Sequence, residues 1–229
     1  MESEQMTVHK FDHKIQLTIL KEKTMHALKQ LIKHLEVSRV LYSEAIKEAL
    51  TCVDRSGFVR DDLQRFAYDD SALPIAEGQT ISQPTTVVFM LELLDVKKGQ
   101  TVCDIGAGSG WVSCLIGLLV GKKGHVYAYE RNKTVGEIGK ENVEKNGAEN
   151  VTYAIGNAAK LWHKHAPYDR IYSGAAFETI PKDLLQQLAI GGILVTPTQD
   201  GNIRTISRQG ENDFVENAYY GFTFVPFVE

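Results

Sequence analysis

From residue 101 to residue 197 the chain alternates short, nearly continuous apolar runs with segments whose apolar positions recur every three or four residues. The first pattern is typical of buried strands, and the second is typical of helices that pack one face on a sheet. Strands are predicted over 101–105, 125–130, 151–155, 168–173 and 192–197, with two more near 203–208 and 218–226, and helices over 112–120, 134–146 and 181–188. The alternation predicts an α/β fold with a Rossmann-like, doubly wound sheet of seven mostly parallel strands.

Helical periodicity also precedes the sheet. An amphipathic helix is predicted from Thr24, and a second over 43–53 with Ser43 as its N-cap. A third helix is predicted from Pro84, whose fixed φ suits the first turn of a helix. The region before the sheet is therefore expected to be helical.

The length of 229 residues suits one α/β unit with an extension. We divide the chain into an N-terminal helical and loop-rich extension, residues 1–83, and a core, residues 84–229, on which the extension packs within one compact unit. Residues 1–23 are polar with scattered apolar positions, which fits an irregular lead-in or a strand, and we assign them no role.

Composition limits the partners. The formal net charge is −4 and no block of five like charges occurs, which argues against nucleic acid and against a membrane surface. No apolar run approaches the roughly 20 residues of a membrane span. Cys52, Cys103 and Cys114 are odd in number and lack C-x-x-C spacing, which favours reduced thiols and a cytoplasmic location. His163 and His165 lack a nearby cysteine or carboxylate cluster, so we expect a solvated loop and no metal site.

Three glycines at alternate positions follow the strand predicted over 101–105. The spacing is D-x-G-x-G-x-G, from Asp104 through Gly106 and Gly108 to Gly110. Glycine permits a sharp turn and lets a ligand approach the backbone closely. A dinucleotide site needs G-x-G-x-x-G, and Trp111 stands where its third glycine would be. The turn instead resembles that of class I methyltransferases, which bind S-adenosyl-L-methionine, and this resemblance implies that Asp104 and the three glycines contact that cofactor.

The next predicted strand ends in a carboxylate, Glu130. A carboxylate at this position can accept hydrogen bonds from both hydroxyls of a ribose. Because NAD sites use the same feature, Glu130 indicates a ribose and not a particular cofactor, and Trp111 makes the finer distinction. Trp111 and Trp162 could stack on an adenine ring or simply pack in the core.

Residues 73–84 narrow the reaction, because they are too polar for a core segment and too ordered in composition for a linker. This stretch contains Leu-Pro-Ile followed by G-Q-T-I-S-x-P, from Gly78 to Pro84. Other motifs surround it in order: Arg55 with Phe58-Val59, Ala67-Tyr68-Asp69, Ala166 to Asp169, Ala175-Ala176, and Phe224-Val225-Pro226. In these motifs and their spacing, the chain from about residue 25 resembles the protein-L-isoaspartate O-methyltransferase family.

The resemblance implies transfer of a methyl group from S-adenosyl-L-methionine to the carboxylate of an isoaspartyl residue in a damaged protein or peptide, with S-adenosyl-L-homocysteine as the product, by a monomeric repair enzyme. A carboxylate is already ionised at neutral pH, so no general base is needed. Ser82 is expected to orient this carboxylate, although its hydroxyl could also cap the helix that starts at Pro84. By analogy Thr80 and Ile81 line the cofactor, and Ala175 and Ala176 line the substrate.

The chain departs from the family pattern at two places. Gly156-Asn157-Ala158 replaces the usual Gly-Asp-Gly, and by analogy Asn157 and Ala158 contact the cofactor, the Asn157 oxygen accepting a bond from the adenine amino group. Glu178 would repel a carboxylate substrate if it pointed into the acceptor pocket and would have no effect in solvent. A different acceptor, such as a nucleic acid or a small metabolite, or a non-catalytic cofactor-binding protein, remains an alternative. Arg55 could pair with a ligand carboxylate or form a structural salt bridge.

Overall fold

The computed structural model describes residues 24–228, so the predicted lead-in over 1–23 lies outside the described residues. The helices are α1 (24–37), α2 (Glu44–Cys52), α3 (Pro84–Leu94), α4 (Trp111–Val120), α5 (Lys133–Lys145) and α6 (Lys182–Gln186). The strands are β1 (Leu73–Pro74), β2 (Thr80–Ile81), β3 (Thr101–Ile105), β4 (His125–Glu130), β5 (Val151–Ile155), β6 (Tyr168–Ser173), β7 (Leu188–Thr198), β8 (Asn202–Arg208) and β9 (Phe214–Tyr220).

The seven long strands form one sheet in the order β5-β4-β3-β6-β7-β8-β9. Pairs from β5 to β7 are parallel, whereas β8 and β9 add antiparallel to the edge beyond β7. The chain first runs outward from β3 to β5 and then returns to the other side of β3 for β6. Such a reversal opens a crevice at the carboxyl ends of the strands, where ligands bind in open α/β sheets. The predicted mostly parallel, doubly wound fold is confirmed.

Side chains of the central strands are buried on both faces, because helices cover both sides of the sheet. Val102 and Val126 face a cluster that also contains side chains of the helices before the sheet, whereas Cys103 and Ile105 face a second cluster on the other side. Alternate residues of one strand thus belong to two cores, as the period of a strand requires. This explains why β3 carries apolar side chains on both of its faces.

The N-terminal helices share the first of these cores. Leu35 of α1 and Leu50 of α2 pack in the same cluster as Leu91 of α3 and Leu115 of α4. The predicted helical extension is therefore present over the described residues and packs on the sheet domain. The division of the chain at residue 83 stays a prediction. Within residues 24–228, no helix is both long enough and apolar enough to cross a membrane.

A buried carboxylate holds the turn between α1 and α2. Glu92 is 7% exposed and accepts hydrogen bonds from the backbone N–H groups of Tyr42 and Ser43, both at 2.9 Å. The Ser43 hydroxyl donates to the same carboxylate at 2.5 Å. Ser43 occupies the N-cap position of α2 as predicted, although its side chain makes no capping bond. The hydroxyl instead ties α2 to α3.

The start of α3 is also fixed from a distance. Gln83 is its N-cap residue and makes no side-chain capping bond, and Pro84 occupies the first turn as predicted. The Asp70 carboxylate accepts from the Thr85 N–H at 2.8 Å and from the Thr85 hydroxyl at 2.7 Å. Asp70 therefore supplies the cap, which leaves the Ser82 hydroxyl free of the capping role considered for it.

Several predicted boundaries near the end of the chain are wrong: β7 begins at Leu188 and not at residue 192, and β9 begins at Phe214 and not near residue 218. The predicted helix over 181–188 is shorter, because Leu188 already pairs with Tyr168 in the sheet. The last strand ends at Tyr220 and does not run to Pro226. Gly221 follows with φ of 98°, a left-handed conformation that turns the backbone away from the sheet.

We expect Glu92→Ala to destabilise the protein by about 2 kcal/mol, because two backbone N–H groups and a hydroxyl lose a charged, buried acceptor. The free energy of unfolding in urea measures the change. Glu48→Ala removes an exposed carboxylate from α2 and serves as the control, with an expected change within about 0.5 kcal/mol. Equal effects of the two substitutions would contradict the anchoring role of Glu92.

Candidate active site

A pocket lies at the carboxyl ends of β3, β4 and β6, where the strand order reverses. Its lining includes the glycine turn 106–109, the segment 130–132 after β4, the segment 79–82 around β2, and the segment 225–228 near the end of the chain. Elements that are distant in sequence therefore meet around one space. This is the position that the fold predicts for a ligand.

Nine of the twelve predicted site residues line this pocket. They are Thr80, Ile81, Ser82, Asp104, Gly106, Gly108, Glu130, Ala158 and Ala175. Gly110, Asn157 and Ala176 do not line it. The structure gives these three residues other contacts, described below.

The glycine turn is fixed at its middle residue. The Gly108 N–H donates to Glu130 Oε2 at 3.0 Å, and the Gly108 carbonyl accepts from the Tyr153 hydroxyl at 2.7 Å. Gly108 has φ of 54°, and a Cβ added there would meet no atom closer than 3.9 Å. The missing side chain thus leaves open pocket space beside the backbone, as the sequence predicted for close ligand approach.

Gly110 has a different reason to be glycine. Its φ is 82°, and a Cβ would lie 2.7 Å from Val143 Cγ2 and 2.9 Å from the Gly139 carbonyl oxygen. Both atoms belong to α5, which packs against the start of α4. Gly110 therefore permits the contact between α4 and α5. It was predicted to contact the cofactor, but it does not line the pocket.

Glu130 is held in one orientation. It is 9% exposed, and its Oε1 accepts from the Asn132 N–H at 2.8 Å while Oε2 accepts from Gly108. Each carboxylate oxygen can accept a further hydrogen bond. The predicted ribose contact is therefore compatible with the observed bonds, and the geometry of the carboxylate is already set.

Asp104 is a buried acceptor at the base of the pocket. It has no exposed surface, and its Oδ2 accepts from the Ser113 hydroxyl at 2.5 Å. Oδ1 has no hydrogen-bond partner within residues 24–228. Burial, together with the nearby charge of Glu130, raises the pKa of Asp104 to about 7. An unpartnered carboxylate oxygen in a pocket favours a ligand with a positively charged donor.

Ser82 follows the short antiparallel pair of β1 and β2 and lines the pocket. Its carbonyl accepts from the buried guanidinium of Arg55 at 2.9 Å. Arg55 forms no ion pair with a carboxylate within residues 24–228, and its guanidinium donates to backbone carbonyls in place of the structural salt bridge considered as one alternative. Trp111 lines the pocket, whereas Trp162 packs in the second core beside Phe227.

The chain is similar in sequence to proteins of known family. The family model described as protein-L-isoaspartate(D-aspartate) O-methyltransferase matches residues 26–229. The chain belongs to this family. A protein-L-isoaspartate O-methyltransferase of Staphylothermus marinus is 37% identical over 209 residues, covering 87% of this chain and 93% of the relative. The enzyme of that name from Aeropyrum pernix is 40% identical over 203 residues, covering 87% and 78%.

Solved structures agree on the fold. A Plasmodium falciparum chain, described as a candidate protein-L-isoaspartate O-methyltransferase in complex with S-adenosyl-L-homocysteine, superposes with a TM-score of 0.79 at 22% identity, covering 87% of this chain and 97% of that one. A structure described as protein-L-isoaspartate O-methyltransferase superposes with a TM-score of 0.76 at 25% identity, covering 87% and 65%. The family assignment and the class I methyltransferase fold are thereby confirmed.

The two departures from the family pattern have clear positions. The Asn157 side chain accepts from the Ala159 N–H at 2.8 Å and caps the short turn Ala158–Lys160. Its oxygen is thus engaged locally, and only Ala158 of this pair lines the pocket. Glu178 is exposed and does not line the pocket, so the repulsion considered for it does not arise.

The segment 225–228 is a pocket wall that the sequence did not predict. The Ala176 N–H donates to the Val225 carbonyl at 2.8 Å, and the Phe227 N–H donates to the Ala176 carbonyl at 2.7 Å. Ala176 therefore holds the wall and does not itself line the pocket. The only signal in the sequence was the family-like Phe224-Val225-Pro226, and Tyr172, which also lines the pocket, carried no signal.

The two histidines considered as a metal pair are exposed in the turn Trp162–His165. The His165 ring stacks on Tyr127 with the ring centroids 3.7 Å apart. Over residues 24–228, no group of three histidine, cysteine or acidic side chains could hold a metal ion.

We expect Gly139→Ala to weaken ligand binding at the glycine turn and to destabilise the protein, although alanine usually favours a helix interior by about 1 kcal/mol. A Cβ at residue 139 would collide with the Gly108 carbonyl and the Tyr153 hydroxyl. Thermal unfolding and calorimetric titration with S-adenosyl-L-homocysteine measure the two effects.

Gly136→Ala is the matched control in the same helix. Its Cβ would meet the side chain of Ile155 at 2.8 Å, and this side chain is 39% exposed and free to move. Unchanged ligand affinity in both variants would contradict the role of Gly139 in supporting the turn.

Proposed function

We propose that the protein transfers the methyl group of S-adenosyl-L-methionine to the side-chain carboxylate of L-isoaspartyl residues in damaged proteins. The observation that carries this proposal is that Ser82, from the segment typical of the family, lines the same pocket as Asp104, Gly108 and Glu130. Methyl donor and carboxylate acceptor would therefore meet in one enclosed space. The relatives that share the family name support this activity.

Residues of this chain fit the methyl donor. Glu130 offers fixed carboxylate oxygens to a ribose, and the open space beside Gly108 admits a ligand against the backbone. The unpartnered Oδ1 of Asp104 suits the ammonium group of the amino acid moiety. When bound, S-adenosyl-L-methionine supplies an electrophilic methyl group on a positively charged sulfur. The bound S-adenosyl-L-homocysteine of the Plasmodium falciparum structure supports this choice of ligand.

The reaction requires no proton transfer from the protein. A carboxylate oxygen of the isoaspartyl residue forms a bond to the methyl carbon, the carbon–sulfur bond breaks, and its electron pair stays on sulfur. The products are a methyl ester and S-adenosyl-L-homocysteine. Ser82 donates a hydrogen bond to the other carboxylate oxygen and so orients the attack. Catalysis then rests on positioning and on the exclusion of water by the pocket walls.

The partner and the compartment follow from the same features. Isoaspartyl proteins or peptides are the substrate, and nucleic acid and membranes are not partners, which the net charge of −4 supports. We propose that the protein acts as a monomer. The free thiols of Cys52, Cys103 and Cys114 support a cytoplasmic location.

The direct test is incubation with methyl-labelled S-adenosyl-L-methionine and an isoaspartyl peptide. A base-labile ester should form, and the same peptide with a normal aspartyl residue should stay unlabelled. No ester above background with the isoaspartyl peptide would overturn the proposed activity. Label in a metabolite extract instead would identify a different acceptor.

Ser82→Ala is expected to lower kcat about tenfold or more, with little change in cofactor affinity, because one charge-assisted hydrogen bond to the acceptor is lost. Gly108→Val is expected to abolish cofactor binding, because its side chain enters the pocket and its φ of 54° is strained for a β-branched residue. Calorimetry and initial rates separate the two. Equal loss of cofactor affinity would place Ser82 in the donor site.

Cofactor affinity should rise with pH until about pH 7 and then level off. The folded-state pKa of Asp104 is raised, so the carboxylate is protonated below about pH 7 and must lose its proton to bind a cation. Calorimetry between pH 6 and pH 8 measures the change, and proton release at low pH should appear in buffers of different ionisation enthalpy. Asp104→Asn should weaken binding and remove this pH dependence; an unchanged profile would contradict the assignment.

A further inference from the structure

Arg55 is a buried charge whose nearest acidic neighbours, Asp69 and Asp70, act on it without forming an ion pair. Its side chain is 2% exposed, and no carboxylate of residues 24–228 forms an ion pair with it. Burial lowers the pKa of Arg55 to about 10, so the guanidinium is still charged at neutral pH. Removing a guanidinium from water is costly, and the bonds that it forms must offset this cost.

Those bonds go to three backbone carbonyls. Arg55 donates to Ala67 at 2.5 Å, to Ser71 at 3.1 Å and to Ser82 at 2.9 Å, residues that lie 12, 16 and 27 positions further along the chain. A planar guanidinium presents several donors in a fixed geometry, which a lysine ammonium cannot reproduce. The side chain thus fixes three loop positions relative to one another, and one of them is the residue assigned to the acceptor.

The same guanidinium lies over the ring of Trp111, 5.1 Å from its centroid. Trp111 is the first residue of α4, immediately after the glycine turn, and it lines the pocket. A cation over an indole face is attracted to it, and more strongly when both groups are shielded from water. Arg55 therefore contacts both sides of the pocket. Trp111 belongs to the donor side, beside the glycine turn, and Ser82 belongs to the acceptor side, the segment 79–82.

We propose that Arg55 is a positioning residue for methyl transfer, which holds Ser82 at a fixed distance from the donor turn through the Ser82 carbonyl and the Trp111 ring. The proposal rests on the proposed function for its role in catalysis. It does not make Arg55 a catalytic residue, because its bonds go to the protein and its side chain does not line the pocket.

The chain contains a matched control. Arg170 is 7% exposed and also donates to backbone carbonyls, those of Leu94, Asp95 and Asp169. These carbonyls lie outside the pocket, two of them at the far end of α3. Arg170→Lys therefore tests what the loss of a buried guanidinium does to stability alone.

The experiment introduces Arg55→Lys and Arg170→Lys separately into two backgrounds, the natural sequence and Ser82→Ala. For each variant it measures kcat and KM for an isoaspartyl peptide and the Kd of S-adenosyl-L-homocysteine. We expect Arg55→Lys to lower kcat at least tenfold when Ser82 is present and less than threefold in Ser82→Ala, because it acts through that residue. Cofactor Kd should change less than threefold. Arg170→Lys should change kcat less than twofold in both backgrounds.

An equal loss of kcat in both backgrounds, or the same loss in Arg170→Lys, would show that Arg55 only stabilises the fold and would overturn the proposal. Arg55→Met, which buries no charge, is the second variant and should show the same dependence on Ser82 if Arg55→Lys does not fold.

Hydrogen exchange separates this proposal from the proposed function. Amides of residues 79–82 should exchange at least tenfold faster in Arg55→Lys than in Arg170→Lys, whatever the acceptor is. If the natural sequence transfers no methyl group to the peptide, the proposed function fails and the exchange result alone decides whether Arg55 holds the segment. Unchanged exchange in residues 79–82 would overturn the positioning role.

Discussion

The hydrogen bond between the Gly108 N–H and the Glu130 carboxylate joins the two features on which the donor side of the pocket depends. It connects the turn after β3 to the end of β4, so the glycine turn keeps its shape beside a negatively charged group. The Tyr153 hydroxyl holds the same residue by its carbonyl. Glu130 is the last residue of β4, and Tyr153 lies in the middle of β5. Because both strands are parallel members of the sheet, the sheet itself fixes the glycine turn before any ligand binds.

The acceptor side is built by different means. Residues 79–82 belong to no long strand, and their position depends on long-range bonds from side chains such as Arg55 and on the cap that Asp70 supplies to α3. Glu92 fixes the N-terminal helices in a similar way. Buried or half-buried charges that bind backbone groups thus replace regular hydrogen-bond ladders in the part of the molecule that precedes the sheet.

Local patterns predicted the sheet and most of the residues that line the pocket. Gly108 and Glu130 lie at or just after the ends of predicted strands. Their positions at the edge of the sheet could therefore be predicted from the neighbouring residues alone. Arg55 could not be predicted in this way, because its partners are carbonyls that any residue type could supply. The strand predicted to reach residue 226 failed because the residues after Gly221 are mostly apolar like a strand, whereas in the structure they are half-buried or exposed and pack against the two cores outside the sheet.

The wall formed by residues 225–228 contrasts with the donor turn. Two backbone hydrogen bonds to Ala176 attach it, and its lining side chains are Val225, Pro226, Phe227 and Val228. None of these side chains carries a charge or a hydrogen-bond donor that would select particular neighbours in a bound peptide. Under the proposed function, a peptide seated against this wall would meet only apolar side chains, so the residues that flank the damaged site would contribute little to its selection.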